Sequence, residues 1–284
     1  MGKEYTKQHI VPSCYIANFG ANGNEGRKSS IYYYLKEKGI SGCGCAGDFP
    51  VEGNYYDIPE LGENKKILEL LFQKIETDLS DLLKELICSI TFEKKDRKGC
   101  YVDYPLSKRQ ALSAQFAMQI QRTNLLRKQF EYIYDQLKAH VPCGSIPDYD
   151  KSDFKRLQNT QILSFDLAHF YANIFNDKKW VIIVNHTELP FLTSDNPVIA
   201  INHSKNVHVS AASDDLTYYI PISPLFAIEM YPKSVKWNDL FCFDEYDVKN
   251  IALYNMYIER ECTRMLFSNK DFGFIKELLD KELS

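Results

Sequence analysis

Residues 68–90, LELLFQKIETDLSDLLKELICSI, place apolar side chains at Leu68, Phe72, Ile75, Leu79, Leu82, Leu86 and Ile90. Steps of three and four residues match the turn of an α-helix, so these positions form one apolar stripe. The stripe opens a helical section expected over about 64 to 139, broken at Gly99–Pro105, where glycine and proline interrupt a helix. A polar, proline-containing connection follows at Pro142–Asp153, and then one more helical stretch. Beyond it the pattern changes. Short runs rich in β-branched and aromatic residues predict strands at Trp180–Val184, Val198–Ile201, Val207–Ser210, Tyr218–Ile222 and Phe226–Tyr231. Ile31–Leu35 reads as an N-terminal strand, residues 40–63 as glycine-rich and irregular, and about 247–267 as a last helix. Helices followed by strands predict an α+β fold. The expectation is a single compact unit over 1–284: a helical part of about 64–175 packed on a mainly antiparallel sheet drawn from 180–232 plus the N-terminal strands, with the helix at about 247–267 closing the core.

Composition narrows the function classes only a little. The chain has 284 residues, a net charge of −4 and a pI near 5.9. That balance argues against broad electrostatic binding to nucleic acid or anionic membrane, while leaving room for a local basic groove. No apolar run approaches the ~20 residues that span a bilayer. The start of the chain is polar, so a cytoplasmic protein without a membrane partner is expected. Eight scattered cysteines include no CxxC pair and are expected to be reduced thiols. Cys43-Gly44-Cys45 reads as a flexible loop in preference to a metal clip.

The chemistry concentrates where polar residues intrude on apolar faces. Glu76 projects on the shoulder of the first stripe, between Leu83 and Ile87. A second stripe, Leu112, Phe116, Leu126, Phe130, Ile133 and Leu137, carries Gln119 and Thr123 at its centre and Gln115 and Arg122 along one edge. An unpaired buried amide costs about 1–3 kcal/mol, so each of these groups needs a partner. Arg122 needs a carboxylate, and Glu76 is the candidate. Asn255 lies at the centre of the face made by Ile251, Ile258, Cys262 and Met265. Finally, Phe191-Leu192-Thr193-Ser194-Asp195-Asn196-Pro197-Val198 ends an apolar run in two hydroxyls, a carboxylate, an amide and a proline. An Asn before Pro favours a turn, and such a cluster also suits a site. No HExxH, Walker loop, GxSxG or dinucleotide fingerprint is present.

The order of these segments resembles the domain-of-unknown-function 4238 family, a group of uncharacterised, mostly microbial proteins. The carriers are His9-Ile10-Val11-Pro12 with Tyr15 and Phe19, Ile31–Leu35, Tyr55-Tyr56, Ile75-Glu76, Gln119 with Arg122-Thr123, Thr193–Val198, Pro221-Ile222-Ser223-Pro224 and Asn255. The resemblance extends to about residue 270, and Ser13-Cys14 stand where bulkier residues are expected. It implies which residues form a site, and no mechanism.

Two function classes fit those residues. The first is a metal-assisted hydrolase for a phosphodiester or nucleic-acid substrate, with bacterial defence or a toxin effector as its setting. His9, Glu76 and Asp195 would hold a divalent Mg²⁺ or Mn²⁺, with Glu76, Arg122 and Asp195 as the catalytic set. Gln119, Thr193, Ser194, Asn196 and Asn255 would then contact the ligand. The second is a non-catalytic domain that binds or senses a small ligand or peptide in the same polar cleft, between walls of Tyr and Phe. A purely structural alternative makes Asp195-Asn196-Pro197 a turn and Arg122–Glu76 an internal ion pair.

Overall fold

The strands divide between two principal sheets. The computed structural model describes residues 7–96, 101–142, 144–206 and 209–283. In chain order the elements are β1 (Lys7–His9), α1 (Ser13–Ile16), β2 (Ser30–Leu35), β3 (Ile40–Cys45), β4 (Val51–Gly53), α2 (Ile67–Asp96), α3 (Leu106–Arg122), α4 (Asn124–His140), α5 (Lys151–Ser164) and α6 (Asp166–Asp177). There follow β5 (Lys179–Asn185), β6 (Thr193–Ser194), β7 (Ile199–Asn202), β8 (Leu216–Pro221), β9 (Phe226–Tyr231), β10 (Phe241–Glu245), α7 (Val248–Glu261), β11 (Met265–Ser268) and α8 (Phe272–Leu283). The larger sheet has the order β10-β5-β9-β8-β7, antiparallel except for the parallel β10–β5 pair. The second, β3-β2-β11-β6, is antiparallel throughout, and β1 pairs with β4.

The large sheet is covered on both faces, which explains why Trp180–Val184 reads as an uninterrupted apolar run. Trp180, Ile182, Ile220 and Ile228 pack into a core shared with Leu83 and Leu86 of α2 and with Leu112 and Phe116 of α3. Ile183, Tyr219 and Ala227 face the opposite way, onto Ile251 and Ile258 of α7 and Ile275 and Leu278 of α8. The result is a single α+β unit, as the sequence pattern implies.

Several expectations are corrected. The N-terminal strand pairs with β11 in a separate sheet instead of extending the larger one. The closing helix ends at Glu261, and Met265–Ser268 forms a strand followed by α8. The expected strand at Val207–Ser210 lies partly outside the described residues, as do Gly99, Cys100 and Cys143. The glycine-rich segment at 40–45 is strand β3, not a loop. A Cβ on Gly42 would lie 2.6 Å from the Tyr33 hydroxyl oxygen, and one on Gly44 only 2.5 Å from the Phe49 ring. These glycines leave room for aromatic rings to lie across the strand.

The most consequential correction is in the second helix, which is two. Thr123 is extended, at φ −80° and ψ 156°, and separates α3 from α4. Neither Gly nor Pro causes the break. The fully buried Gln158 of α5 donates through Nε2 to the carbonyls of Gln121 and Thr123, each at 2.9 Å. It captures acceptors that a broken helix would leave bare. After this elbow the expected stripe loses its burial: Ile133 and Leu137 are about half exposed, at 53% and 49%.

Candidate functional site

The elbow has a charged side. Arg122, at the end of α3, is 2% exposed, and its Nη2 donates to Glu76 Oε1 at 2.7 Å and to the His9 carbonyl at 2.8 Å. Its Nε donates to the Tyr56 hydroxyl at 3.1 Å, and its guanidinium lies 4.0 Å from the Phe72 ring centroid. Burial works to lower the Arg122 pKa, but Tyr56 and Glu76 outweigh it and raise it, so the group stays charged. Gln119 donates to the Ile10 carbonyl at 3.1 Å and Gln115 to the Ile75 carbonyl at 3.2 Å. The polar residues on the α3 face thus find partners in β1, its continuation and α2.

His9 and Cys14 border this cluster. His9 Nε2 lies 3.1 Å from the Gly47 carbonyl, which can only accept, so Nε2 carries the proton and Nδ1 keeps a lone pair. Burial lowers the His9 pKa below its ordinary value, against the opposing pull of the Gly47 carbonyl and Glu76. Burial, aided by Glu76, pushes the Cys14 thiol up to about 12, so it is not a ready nucleophile.

The Thr193–Val198 segment is fixed by different partners. Asp195 is 1% exposed, and its Oδ1 accepts from the Thr263 amide at 3.0 Å and the Cys262 thiol at 3.4 Å. Its Oδ2 accepts from the Thr263 hydroxyl. Thr193 Oγ1 lies 2.9 Å from the Tyr15 hydroxyl, which in turn donates to the Pro221 carbonyl. Ser194 Oγ accepts from the Asn196 amide and donates to the Asn196 carbonyl, both at 3.0 Å, closing the turn. Asn255 is a backbone clamp: Oδ1 accepts from Leu192 N and Nδ2 donates to Pro190 O, each at 2.8 Å.

The structure therefore brings together His9, Glu76, Gln119 and Arg122, and separately ties Asp195 and Asn255 to the strand end. Among the described residues no group of three or more His, Cys, Asp or Glu side chains is arranged to hold a metal ion. The donor chemistry points the same way. Both Asp195 oxygens are engaged by Thr263, and the Glu76 carboxylate is already neutralised by a guanidinium at 2.7 Å. His9, Glu76 and Asp195 do not fit a shared Mg²⁺ or Mn²⁺.

Thr123 and Asn196, each next in sequence to one of these anchored charges, line the same cleft of ≈ 270 Å³. Leu126, Tyr171, Val198 and Tyr218 supply apolar wall, with Gln129 and Glu261 adding polar groups. Asn196 Nδ2 donates to the Glu261 carbonyl at 3.3 Å, and Thr123 Oγ1 to the Ile120 carbonyl at 3.1 Å. Burial raises the pKa of Tyr171. It stays a neutral phenol that can donate. Tyr171, Tyr218, Gln129 and Glu261 come from four elements far apart in sequence, so no local spacing singles them out.

Fold and cleft define the class: an α+β protein whose helical elbow meets a strand-end turn across a small, mixed-polarity cavity. The chain belongs to the family described as Protein of unknown function (DUF4238), whose model matches residues 7–272. Comparison with curated proteins and with solved structures finds no significant match. No helix among the described residues is long and apolar enough to cross a membrane.

Proposed function

We propose that this protein binds a small molecule without transforming it, in the cleft between the Thr123 elbow and the Asn196 turn. One observation carries the reading: the two backbone segments that present Thr123 and Asn196 are each held by a buried side chain, Arg122 through its ion pair with Glu76 on one and Asp195 through its hydrogen bonds from Thr263 on the other. Such support preorganises a cavity, which is what a binding site needs to avoid losing affinity to ordering. The walls favour a ligand with an apolar or aromatic body. Glu261 is the one charged residue among the described residues lining the cleft, and its carboxylate is paired with Arg260 Nε at 3.1 Å, so a neutral ligand suits the lining better than an anion. A phosphodiester substrate fits that lining less well, and the metal-assisted hydrolase has less support for this reason and because of Asp195's partners.

The test is a saturation-transfer NMR screen of phenols and primary amides against the parent protein. Hits should disappear in Ala200→Trp, which places an indole over the rim from an exposed position, while its melting temperature stays near that of the parent. Hits that survive Ala200→Trp unchanged, or no hits at all, would remove this assignment.

A further inference from the structure

Cys43 and Cys45 are both exposed, two residues apart on β3, the outer strand of the smaller sheet. Their register against β2 is unbroken, with Ser30 opposite Cys45, Ile31 opposite Gly44 and Tyr32 opposite Cys43. Successive side chains of such a strand point to opposite faces, so the two thiols share one face. The glycines between and before them fix which face it is. The Tyr33 and Phe49 rings lie where Cβ atoms on Gly42 and Gly44 would stand, and they fill the other side of the strand. Ser30, across from Cys45, joins the thiol face: its hydroxyl oxygen lies 3.2 Å from Cys43 Sγ. None of these residues lines the elbow cleft.

The spacing decides what the pair can do. Two residues along a strand cover about 6.8 Å, whereas the Cβ atoms of a disulfide sit about 3.8 Å apart. Joining the sulfurs directly would buckle a strand that is paired with β2 and packed on two rings. One ion between the sulfurs needs no such approach, because two metal–sulfur bonds of about 2.3 Å set them about 4.6 Å apart in line. Among the described residues no third His, Cys, Asp or Glu completes a larger ligand set. Two soft thiolates alone suit a thiophilic monovalent ion, while Zn²⁺ would lack half of its tetrahedral set. We propose that Cys43 and Cys45 form a two-coordinate site for Cu(I). Binding is ligand exchange with no change of oxidation state: each S–H releases its proton to solvent, two S–Cu bonds form, and the ligands of the incoming copper leave. The Ser30 hydroxyl then donates to the Cys43 thiolate and favours its charged form.

The experiment offers Cu(I) as its bicinchoninate complex to the full chain without oxygen and follows loss of the complex's colour. The reference is the chain carrying Cys88→Ser, Cys100→Ser and Cys143→Ser, in which Cys43 and Cys45 are the only exposed thiols among the described residues. It should take one Cu(I) per chain. In that background Cys43→Ser and Cys45→Ser should each weaken capture at least about 100-fold, the advantage of a second ligand already held in place. A second measurement needs no substitution. In the parent chain Cu(I) should slow iodoacetamide alkylation of Cys43 and Cys45, read by peptide mass spectrometry, and leave the exposed Cys88 reactive. Zn²⁺ offered instead should be lost on gel filtration. No capture, capture retained by either serine variant, one Cu(I) shared by two chains, alkylation of the pair unchanged by Cu(I), or equal retention of Zn²⁺ would overturn the proposal. The elbow cleft is untouched by these variants, so its assignment stands or falls separately.

Discussion

Arg122 and Thr123 are adjacent in sequence and serve different parts of one elbow. Arg122 directs Nε and Nη2 at protein partners, donating to Glu76, the His9 carbonyl and the Tyr56 hydroxyl, while Thr123 lines the cleft. Asp195 and Asn196 repeat the arrangement at the strand end, with Asp195 tied to Thr263 and Asn196 on the cleft wall. In both places a charged side chain holds the backbone and the next residue lies on the cleft wall.

Removing one member of the Arg122–Glu76 pair should be costly. Arg122→Met leaves Glu76, whose side chain is only 23% exposed, without its cation, and leaves the His9 carbonyl without this donor. The expected loss is about 3–5 kcal/mol in urea unfolding, the range for breaking a largely buried pair. The double variant Arg122→Met/Glu76→Leu should recover part of that loss, since neither charge is then stranded. Strictly additive effects in the double-mutant cycle would contradict the pairing argument.

Asp195 should matter to stability more than to ligand contact. Its carboxylate ties the turn at 195–196 to the residues that join α7 to β11, through Thr263 and Cys262. Asp195→Asn replaces one charged acceptor oxygen by an NH₂ group facing a donor, and about 2–3 kcal/mol should be lost. Thr263→Val, which keeps the backbone N–H and removes only the hydroxyl, should cost less. If Asp195→Asn melts with the parent, the carboxylate is not a structural anchor.

His9 gives the fold a pH dependence of definite sign. Burial holds its folded pKa below the ordinary value of 6.5, so the unfolded chain takes up the proton first as the pH falls. Stability from this residue is complete above about pH 6.5, declines as the pH drops from there to the folded pKa, and is flat below it. Urea midpoints measured between about pH 7.5 and 5 should show this fall in the parent. His9→Gln, uncharged throughout, should show a shallower slope; an identical slope would remove His9 as its source.

Much of the architecture was legible because it rests on local periodicity. Leu68 to Ile90 and the apolar run at Trp180 betray their elements directly; burial cost gave Arg122 its need for a carboxylate, and the position of Glu76 beside the first stripe made it the candidate that the structure pairs with it. The elbow at Thr123 was not legible, because its cause is Gln158, a side chain from another helix that captures the freed carbonyls. The role of Asp195 was hidden for the same reason, since its partners lie about 68 residues onward. Those partners are a backbone amide and a hydroxyl, which announce nothing in a sequence. Asn255 looked like a ligand group because a buried amide and a binding amide are the same residue until their partners are seen.

The glycines of β3 were misread as flexibility, and they yield a sharp test. A Cβ on Gly44 would meet Phe49 Cε2 at 2.5 Å, and that ring is packed 4.7 Å from Tyr33 and 6.4 Å from Phe267, centroid to centroid. The ring cannot retreat without disturbing both neighbours, so Gly44→Ala should cost about 1–3 kcal/mol, the range for overpacking. Gly53→Ala is the control. Nothing lies within 4 Å of its would-be Cβ, and its backbone is not left-handed, so it should be neutral or slightly stabilising through the unfolded chain. Pairing Gly44→Ala with Phe49→Leu makes room for the new methyl and should cost less than the sum of the two single changes. If Gly44→Ala behaves like Gly53→Ala in thermal unfolding, the segment is a loop after all and the ring does not constrain it.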